Sequence, residues 1–204
     1  MSKDYPQSED KLFIEETDSM RGAWISNPAS RFFRYSEGYK EAGKILYDAC
    51  IENSFYCNIL IYPLIFNYRQ YLELRLKELL IMGNKYVETG EDFPDEHGLT
   101  KLWLIYRTKL LPQIESSIED QILDNVERLI NEFNTKDPKS MSFRYPVTRG
   151  PNRVESVNMQ TINIENFKTS MDKLIYFFEW QWDMISHYED FKQDMLADMY
   201  GEYH

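Results

Sequence analysis

Apolar residues recur at three- and four-residue steps along most of the chain, which is the spacing of one buried face on an α-helix. Short polar stretches, several containing Gly or Pro, separate these periodic segments. We predict five helices, over residues 36–54, from Phe55 or Pro63 to Met82, 99–111, 113–133 and 164–199. The pattern indicates an all-α fold, an up-and-down bundle of about five helices.

Local signals give the expected helix ends. Ser36 and Asn163 precede periodic segments and are the predicted N-caps. Gly83 and Asn84 are expected to end the second helix, and Pro63 to open or kink it. We expect a flexible acidic tail over residues 1–18 and a single helical domain over 19–204. Within that domain we expect a long loop over 134–158 and a short extended piece over 159–164.

Composition narrows the class of protein. The longest apolar run, Ile59–Phe66, has eight residues, whereas a bilayer-spanning helix needs about 20. The first 18 residues are polar and acidic, unlike a secretory signal. We therefore expect a cytoplasmic protein with no membrane partner. Cys50 and Cys57 lie seven residues apart, about 10 Å along one helix, so we expect free, buried thiols and no disulfide.

The negative charge is unevenly distributed. The chain has a net charge of −11, yet residues 135–153 carry five cations and one anion. A local net charge of +4 on an acidic body allows two interpretations: the cations bind a phosphate locally, or they pair with carboxylates of the body. The candidate nucleic-acid-binding residues are Lys136, Lys139, Arg144, Arg149 and Arg153.

One arginine falls in an apolar helical face. At 100° per residue, Arg69 lies about 40° from Ile65, among the leucines of the second helix. A buried guanidinium needs a carboxylate or an opening, and Glu73 is within i, i+4 reach. Either the two form a structural ion pair, or Glu73 holds Arg69 towards a cleft where it meets a phosphate.

Histidine is scarce, and His97 has the most suggestive context. It lies just before Leu99, where a helix is predicted to begin. It either acts as a general base near neutral pH or caps that helix. No histidine pair has metal-ligand spacing, so we expect no metal and no cofactor. Phosphate-loop, dinucleotide-binding and hydrolase motifs are absent from the sequence.

Three segments together carry a resemblance to a known family. They are the helix containing Tyr68–Leu80, the stretch His97–Trp103, and the turn from Asp137 to Phe143-Arg144-Tyr145-Pro146. In order and spacing, over about residues 60–150, they resemble the HEPN-like bacterial proteins. The resemblance implies a helical bundle that forms a homodimer. It also implies a metal-independent endoribonuclease or RNA-binding effector of a toxin–antitoxin or antiphage system.

The sequence departs from the family's usual active site. That site is an Arg followed by a His after four to six residues, and neither His97 nor His187 is preceded by an Arg at that spacing. A catalytic site would combine distant residues: His97 as base, Arg69 or Arg144 as charge stabiliser, and Glu73 to orient Arg69. The alternatives are a non-catalytic dimerisation or interaction module with a cognate partner protein, and an acidic antitoxin-like protein that covers a basic partner.

Overall fold

The computed structural model describes residues 5–18, 20–25, 31–115 and 117–201. The chain divides into two units, residues 1–31 and 32–204. In the first unit, the described residues before Arg31 form turns and irregular backbone, and nearly all are exposed. The predicted acidic tail lies in this unit, and its first four residues are outside the described part.

The second unit is built from helices. They are α1 (Arg31–Glu52), α2 (Ser54–Tyr86), α3 (Leu99–Ile105), a π-helical turn (Tyr106–Leu110), α4 (Leu111–Ile114), α5 (Asp120–Lys136) and α6 (Ile164–Gly201). Helix α3, the π turn and α4 are continuous and form one helical rod, the α3–α4 rod. The described residues therefore contain five helical rods, which are α1, α2, the α3–α4 rod, α5 and α6. No strand occurs among the described residues, only an isolated bridge between Val147 and Glu155. The predicted all-α bundle is confirmed.

Helix α2 is the centre of the bundle. From Leu64 to Asn84 it has buried residues on every side, as expected for a helix enclosed by others. Helix α6 and the α3–α4 rod pack against α2, and α5 packs against α3. The core therefore forms around the C-terminal two thirds of α2, and the polar residues of that segment are buried with it.

Two predicted ends of helices are wrong. Helix α1 begins at Arg31, so Ser36 is inside the helix; it is fully buried and its hydroxyl donates to the Phe33 carbonyl at 3.0 Å. Helix α2 runs through Pro63 and past Gly83 to Tyr86. A Cβ atom at position 83 would lie 2.4 Å from Leu110 Cδ2, so Gly83 permits close packing of the α3–α4 rod and does not end the helix.

The predicted helix over 113–133 is two elements. Helix α4 ends at Ile114, and α5 begins at Asp120. Pro112 lies at the start of α4, where its missing N–H costs little. The α3–α4 rod therefore continues through Pro112 to Ile114. The segment 159–164 is not a strand. The predicted cap of α6 is confirmed, because Asn163 Oδ1 accepts from the Asn166 N–H at 3.0 Å.

The two cysteines are free but not on one helix. Helix α1 ends at Glu52 and α2 begins at Ser54, with Asn53 in extended backbone between them. The 10 Å separation expected for a continuous helix is therefore wrong. Cys50 is buried and Cys57 is half-buried. Burial, together with a hydrogen bond to Cys57, raises the pKa of the Cys50 thiol to about 11.

None of the described helices is both long enough and apolar enough to cross a bilayer.

Two glycines of α1 provide a test of the α1–α2 contact. A Cβ atom at Gly43 would lie 2.9–3.0 Å from three atoms of the Tyr68 ring, whereas nothing lies within 4 Å of a Cβ at Gly38. The Tyr68 ring is buried and rigid. We expect Gly43→Ala to lower the free energy of unfolding by about 1–3 kcal/mol through overpacking. Gly38→Ala should raise it by about 0.5–1 kcal/mol. Urea denaturation of both variants measures the two free energies of unfolding. Equal changes for Gly43→Ala and Gly38→Ala would contradict the close contact between Gly43 and Tyr68.

Candidate functional site

A buried carboxylate, that of Glu73, lies at the centre of a charged cluster. Its Oε2 accepts from Arg69 Nη1 at 3.0 Å, and its Oε1 contacts Lys77 Nζ at 3.0 Å and His97 Nδ1 at 2.7 Å. Glu73 is only 5% exposed. Arg69, Glu73 and Lys77 follow one another at four-residue steps and so lie on one side of α2. Three nitrogen-bearing side chains thus contact a single carboxylate.

Arg69 joins three parts of the chain. Besides Glu73, its guanidinium donates from Nη2 to the His97 carbonyl at 2.5 Å and from Nε to the Asp137 carbonyl at 3.4 Å. The side chain is fully buried. Since Nε, Nη1 and Nη2 all bind protein oxygens and solvent does not reach them, the structural interpretation of Arg69 is favoured. Arg69 fixes the segments before α3 and after α5 to α2.

The pKa of Glu73 reflects these contacts. Burial by itself would raise the pKa, but the hydrogen bonds from His97 and Lys77 and the charge of Arg69 outweigh it, so the pKa lies below its ordinary value. The carboxylate is therefore ionised at neutral pH. Removing it would leave Arg69 and Lys77 buried without their anion, which is the costly way to break a buried pair.

His97 is the member of the cluster that is exposed at the protein surface. Its side chain is 67% exposed, although Nδ1 touches Glu73. The backbone is held by Glu96, whose carboxylate accepts from the N–H groups of His97 and Gly98 at 2.9 and 2.7 Å. The Gly98 N–H and the ammonium of Lys101 lower the pKa of Glu96 to about 2. When Nδ1 donates to this carboxylate, Nε2 is the ring nitrogen left to act as a base.

The turn after α5 is also fastened to α2. The buried Asp137 accepts through Oδ1 from the N–H groups of Met141 and Ser142, at 2.7 and 2.9 Å. The Gln70 side chain donates to the Ser140 hydroxyl. Phe143 is buried beneath the turn. These contacts explain why part of a long loop has a defined position next to the Glu73 cluster.

Arg144 lies at the exposed side of this turn. Its guanidinium is 5.5 Å from the centre of the Phe66 ring and 5.4 Å from that of Tyr145. Arg149 lies 6.0 Å from the same tyrosine ring. A hydrogen bond that Arg144 Nη2 donates to the Tyr145 hydroxyl, at 3.4 Å, and the positive charges of Arg144 and Arg149 lower the pKa of Tyr145. An exposed tyrosine between two arginines presents an aromatic face and two cations together.

All five cations of residues 135–153 are exposed. Among the ion pairs of the described residues, none includes one of these five. The interpretation in which they pair with carboxylates of the body is therefore not supported for the described part of the chain. Lys136 and Lys139 flank Asp137, while Arg149 and Arg153 follow further along the loop.

The predicted site residues are brought together only in part. Arg69, Glu73 and His97 form one cluster. Arg144 instead lies over Phe66, seven residues before Glu73 on α2, which is about 10 Å along the helix axis. Lys77 was missed, although its i+4 spacing from Glu73 was a signal in the sequence. The role of the Asp137 carbonyl had no such signal, because backbone atoms carry no residue-specific pattern.

A second charged cluster occupies another side of α2. Arg75 pairs with Glu78 at 2.8 Å and with Glu37 of α1 at 2.5 Å. Lys40 then joins Glu37 to Glu179 of α6, at 2.6 Å to each. Burial raises the pKa of Glu78, and the charge of Arg75 opposes that shift. The fold thus lowers the pKa of Glu73 but raises the pKa of Glu78.

The described residues contain no group of three or more side chains able to hold a metal ion. No protein-family model, curated protein or solved structure matches the chain. The arrangement of the site is therefore interpreted from its own geometry and charge.

The opposite pKa shifts of the two buried glutamates generate a prediction. Glutamine resembles a protonated acid, so Glu73→Gln should lower the free energy of unfolding at pH 7 by about 3–5 kcal/mol. Glu78→Gln should cost less, about 1–3 kcal/mol, because Arg75 keeps its second anion, Glu37. A carboxyl group whose folded pKa is lowered stabilises the fold above its ordinary pKa and loses that contribution as the pH falls through the folded pKa. The gap between wild type and Glu73→Gln should therefore narrow on acidification.

Chemical denaturation of the three proteins between pH 7 and about pH 3 measures this difference, because the folded pKa of Glu73 lies below its ordinary value of 4.5. A Glu78→Gln variant destabilised as much as Glu73→Gln at pH 7 would contradict the assignment of the two clusters.

Proposed function

We propose that the protein is a metal-independent endoribonuclease or RNA-binding effector of the HEPN-like kind, acting in a bacterial toxin or antiphage defence system. The observation that carries the proposal is the exposed imidazole of His97, held through Nδ1 by the buried carboxylate of Glu73 at 2.7 Å. A solvent-facing imidazole oriented by an acid group is the arrangement of a general base.

The reaction follows from the chemistry of RNA. Nε2 of His97 takes the proton from a ribose 2′-hydroxyl, and the 2′-oxygen attacks the adjacent phosphorus. The bond from phosphorus to the 5′-oxygen breaks, and that oxygen takes a proton from water. The hydroxide that remains takes the proton from the His97 imidazolium, which returns the base to its starting form. The products are a 2′,3′-cyclic phosphate and a 5′-hydroxyl. Glu73 orients the imidazole and stabilises the imidazolium that forms, while Arg69 and Lys77 keep Glu73 ionised and in position.

The basic turn supplies the contacts to the RNA strand. Arg144 and Arg149 are exposed beside Tyr145, and guanidinium groups bind phosphates bidentately. The tyrosine ring offers a face on which a base stacks. Because the whole protein is acidic, this binding is local and weakens steeply with salt. Arg144 therefore serves as a substrate-binding residue, while sealed Arg69 serves as a positioning residue.

The test of catalysis is the variant His97→Ala. With a single-stranded RNA oligonucleotide in the presence of a metal chelator, we expect at least a 100-fold loss of cleavage rate. His187→Ala is the matched control, since His187 is an exposed histidine on α6, and its activity should equal that of wild type. The DNA oligonucleotide of the same sequence should not be cleaved, because it lacks the 2′-hydroxyl.

Full RNA cleavage by His97→Ala would exclude this mechanism. Absence of cleavage by a folded wild-type protein, over a range of RNA substrates, would favour the second candidate function.

The second candidate is a non-catalytic dimerisation or interaction module, and a surface on α2 favours it. Residues 53–68 contain no charged side chain. Four aromatic or aliphatic residues of this surface are 50–68% exposed: Phe55, Tyr56, Ile59 and Tyr62. An exposed apolar surface of this kind is typical of a protein interface. An identical copy of the chain would bring the same uncharged surface, so no charge would be desolvated in a homodimer.

Dimerisation predicts a change in mass. Ile59→Asp places a charge in this surface and should convert a wild-type dimer to a monomer in sedimentation velocity. Ile122→Asp is the control, because Ile122 is 44% exposed on α5, and this variant should remain dimeric. A wild-type protein that stays monomeric at about 100 µM, far above the Kd of a stable dimer, would remove the proposed homodimer.

A further inference from the structure

A cleft between α5 and α6 has no role in the site described above. Its volume is about 430 Å³, within the range of about 300–1,000 Å³ typical of small-molecule sites. The cleft exists because α5 packs on α3 whereas α6 packs on α2. Ile65 of α2, Leu174 of α6 and Phe143 of the basic turn contribute to its apolar part.

Aromatic rings and unpaired polar groups share this cleft. Phe133 and Phe167 line it with Phe143, and the Phe133 and Phe167 rings meet edge to face at 6.0 Å. The side chains of Asn166 and Ser170 also line it, and neither makes a hydrogen bond with a described residue. A purely apolar ligand would cover these polar groups without pairing them, which costs free energy. The lining fits a flat, apolar ring system with hydrogen-bonding edges.

Two cations lie at the same cleft. Lys136 and Arg128 both line it, and Lys136 makes no ion pair among the described residues. Arg128 makes only a long contact of 3.9 Å with the exposed Glu132. Glu132 lines the cleft as well, so two cations and one anion leave a net charge of +1 for an anionic group next to the ring system of a ligand.

The cleft is next to the Glu73–His97 cluster. Lys136 immediately precedes Asp137, whose carbonyl accepts from Arg69. The His97 segment reaches α5 through the Thr100 hydroxyl, which donates to Asn131 at 2.7 Å. The C-terminal end of α5 thus separates the cleft from the His97 segment, a distance of about one helix diameter, roughly 10 Å. A strand bound in the cleft is close enough to continue to His97.

We propose that the cleft binds one nucleotide of the RNA strand, with the base packed against the phenylalanine rings, its edge on Asn166 and Ser170, and its phosphate on Lys136 and Arg128. This cleft is a specificity site for a base near the cleaved bond. The proposal rests on the proposed function for the source of the nucleotide, but the binding itself is measured without any cleavage.

The experiment is a titration of the full chain with each of the four nucleoside 5′-monophosphates, followed by calorimetry or NMR. We expect one of them to bind with a Kd below about 1 mM. Ser170→Phe fills the cleft and should weaken that binding at least 10-fold. Thr169→Phe is the matched control, since Thr169 is the exposed neighbour on α6 that does not line the cleft, and its Kd should be unchanged.

A second variant covers the case in which Ser170→Phe fails to fold. Asn166→Leu keeps the volume of the side chain and removes its hydrogen bonds, and it should weaken binding or change which base is preferred. Equal Kd values for wild type, Asn166→Leu and a folded Ser170→Phe would overturn the proposal, as would no binding of any of the four nucleotides at 10 mM.

The variant His97→Ala separates this proposal from the proposed function. It leaves the cleft intact, so it should bind the nucleotide with the wild-type Kd. If the wild-type protein binds the nucleotide but cleaves no RNA, the ribonuclease proposal is wrong and the nucleotide-binding cleft is supported. Cleavage that depends on His97, with no nucleotide bound, would remove the cleft and keep the ribonuclease.

Discussion

The ionised carboxylate of Glu73 is the interaction on which the rest of this structure depends. Arg69 and Lys77 are buried beside it, and two buried cations without an anion would be too costly for the core to hold. By neutralising them, Glu73 allows a guanidinium to sit inside the bundle and to use its remaining nitrogens on the His97 and Asp137 carbonyls. One anion thereby fixes two loops that come from distant parts of the chain.

This arrangement links stability to the candidate chemistry. The group that compensates the buried cations also touches the exposed imidazole of His97, so a change that weakens the core cluster also releases the candidate base. The ion pairs of the second cluster, around Arg75 and Glu78, include no histidine among the described residues. Its contacts join α2 to α1 and, through Lys40, to α6. The Glu73 cluster therefore connects the core to an exposed histidine, whereas the Arg75–Glu78 cluster connects helices to one another.

The acidic body and the basic turn are compatible because the turn is held locally. Asp137, the one anion of residues 135–153, is buried and its Oδ1 accepts from backbone N–H groups, so it forms no ion pair with the exposed cations around it. The anchoring of Phe143 and the Gln70–Ser140 contact then keep Arg144 and Tyr145 close to α2. A positive surface persists on a chain of net charge −11.

The sequence alone determined the helical class of this protein, because apolar spacing reports directly on which residues share a face. It also determined the Arg69–Glu73 pair, since residues four apart on a helix are always neighbours. Only the tertiary structure decided that His97 meets Glu73, that Arg69 binds two distant carbonyls and that Arg144 lies over Phe66. The structure likewise decided that the helices continue through Ser36, Gly83 and Pro112, where local signals predict ends. Contacts between residues far apart in the chain depend on how the helices pack, and local spacing carries no information about them.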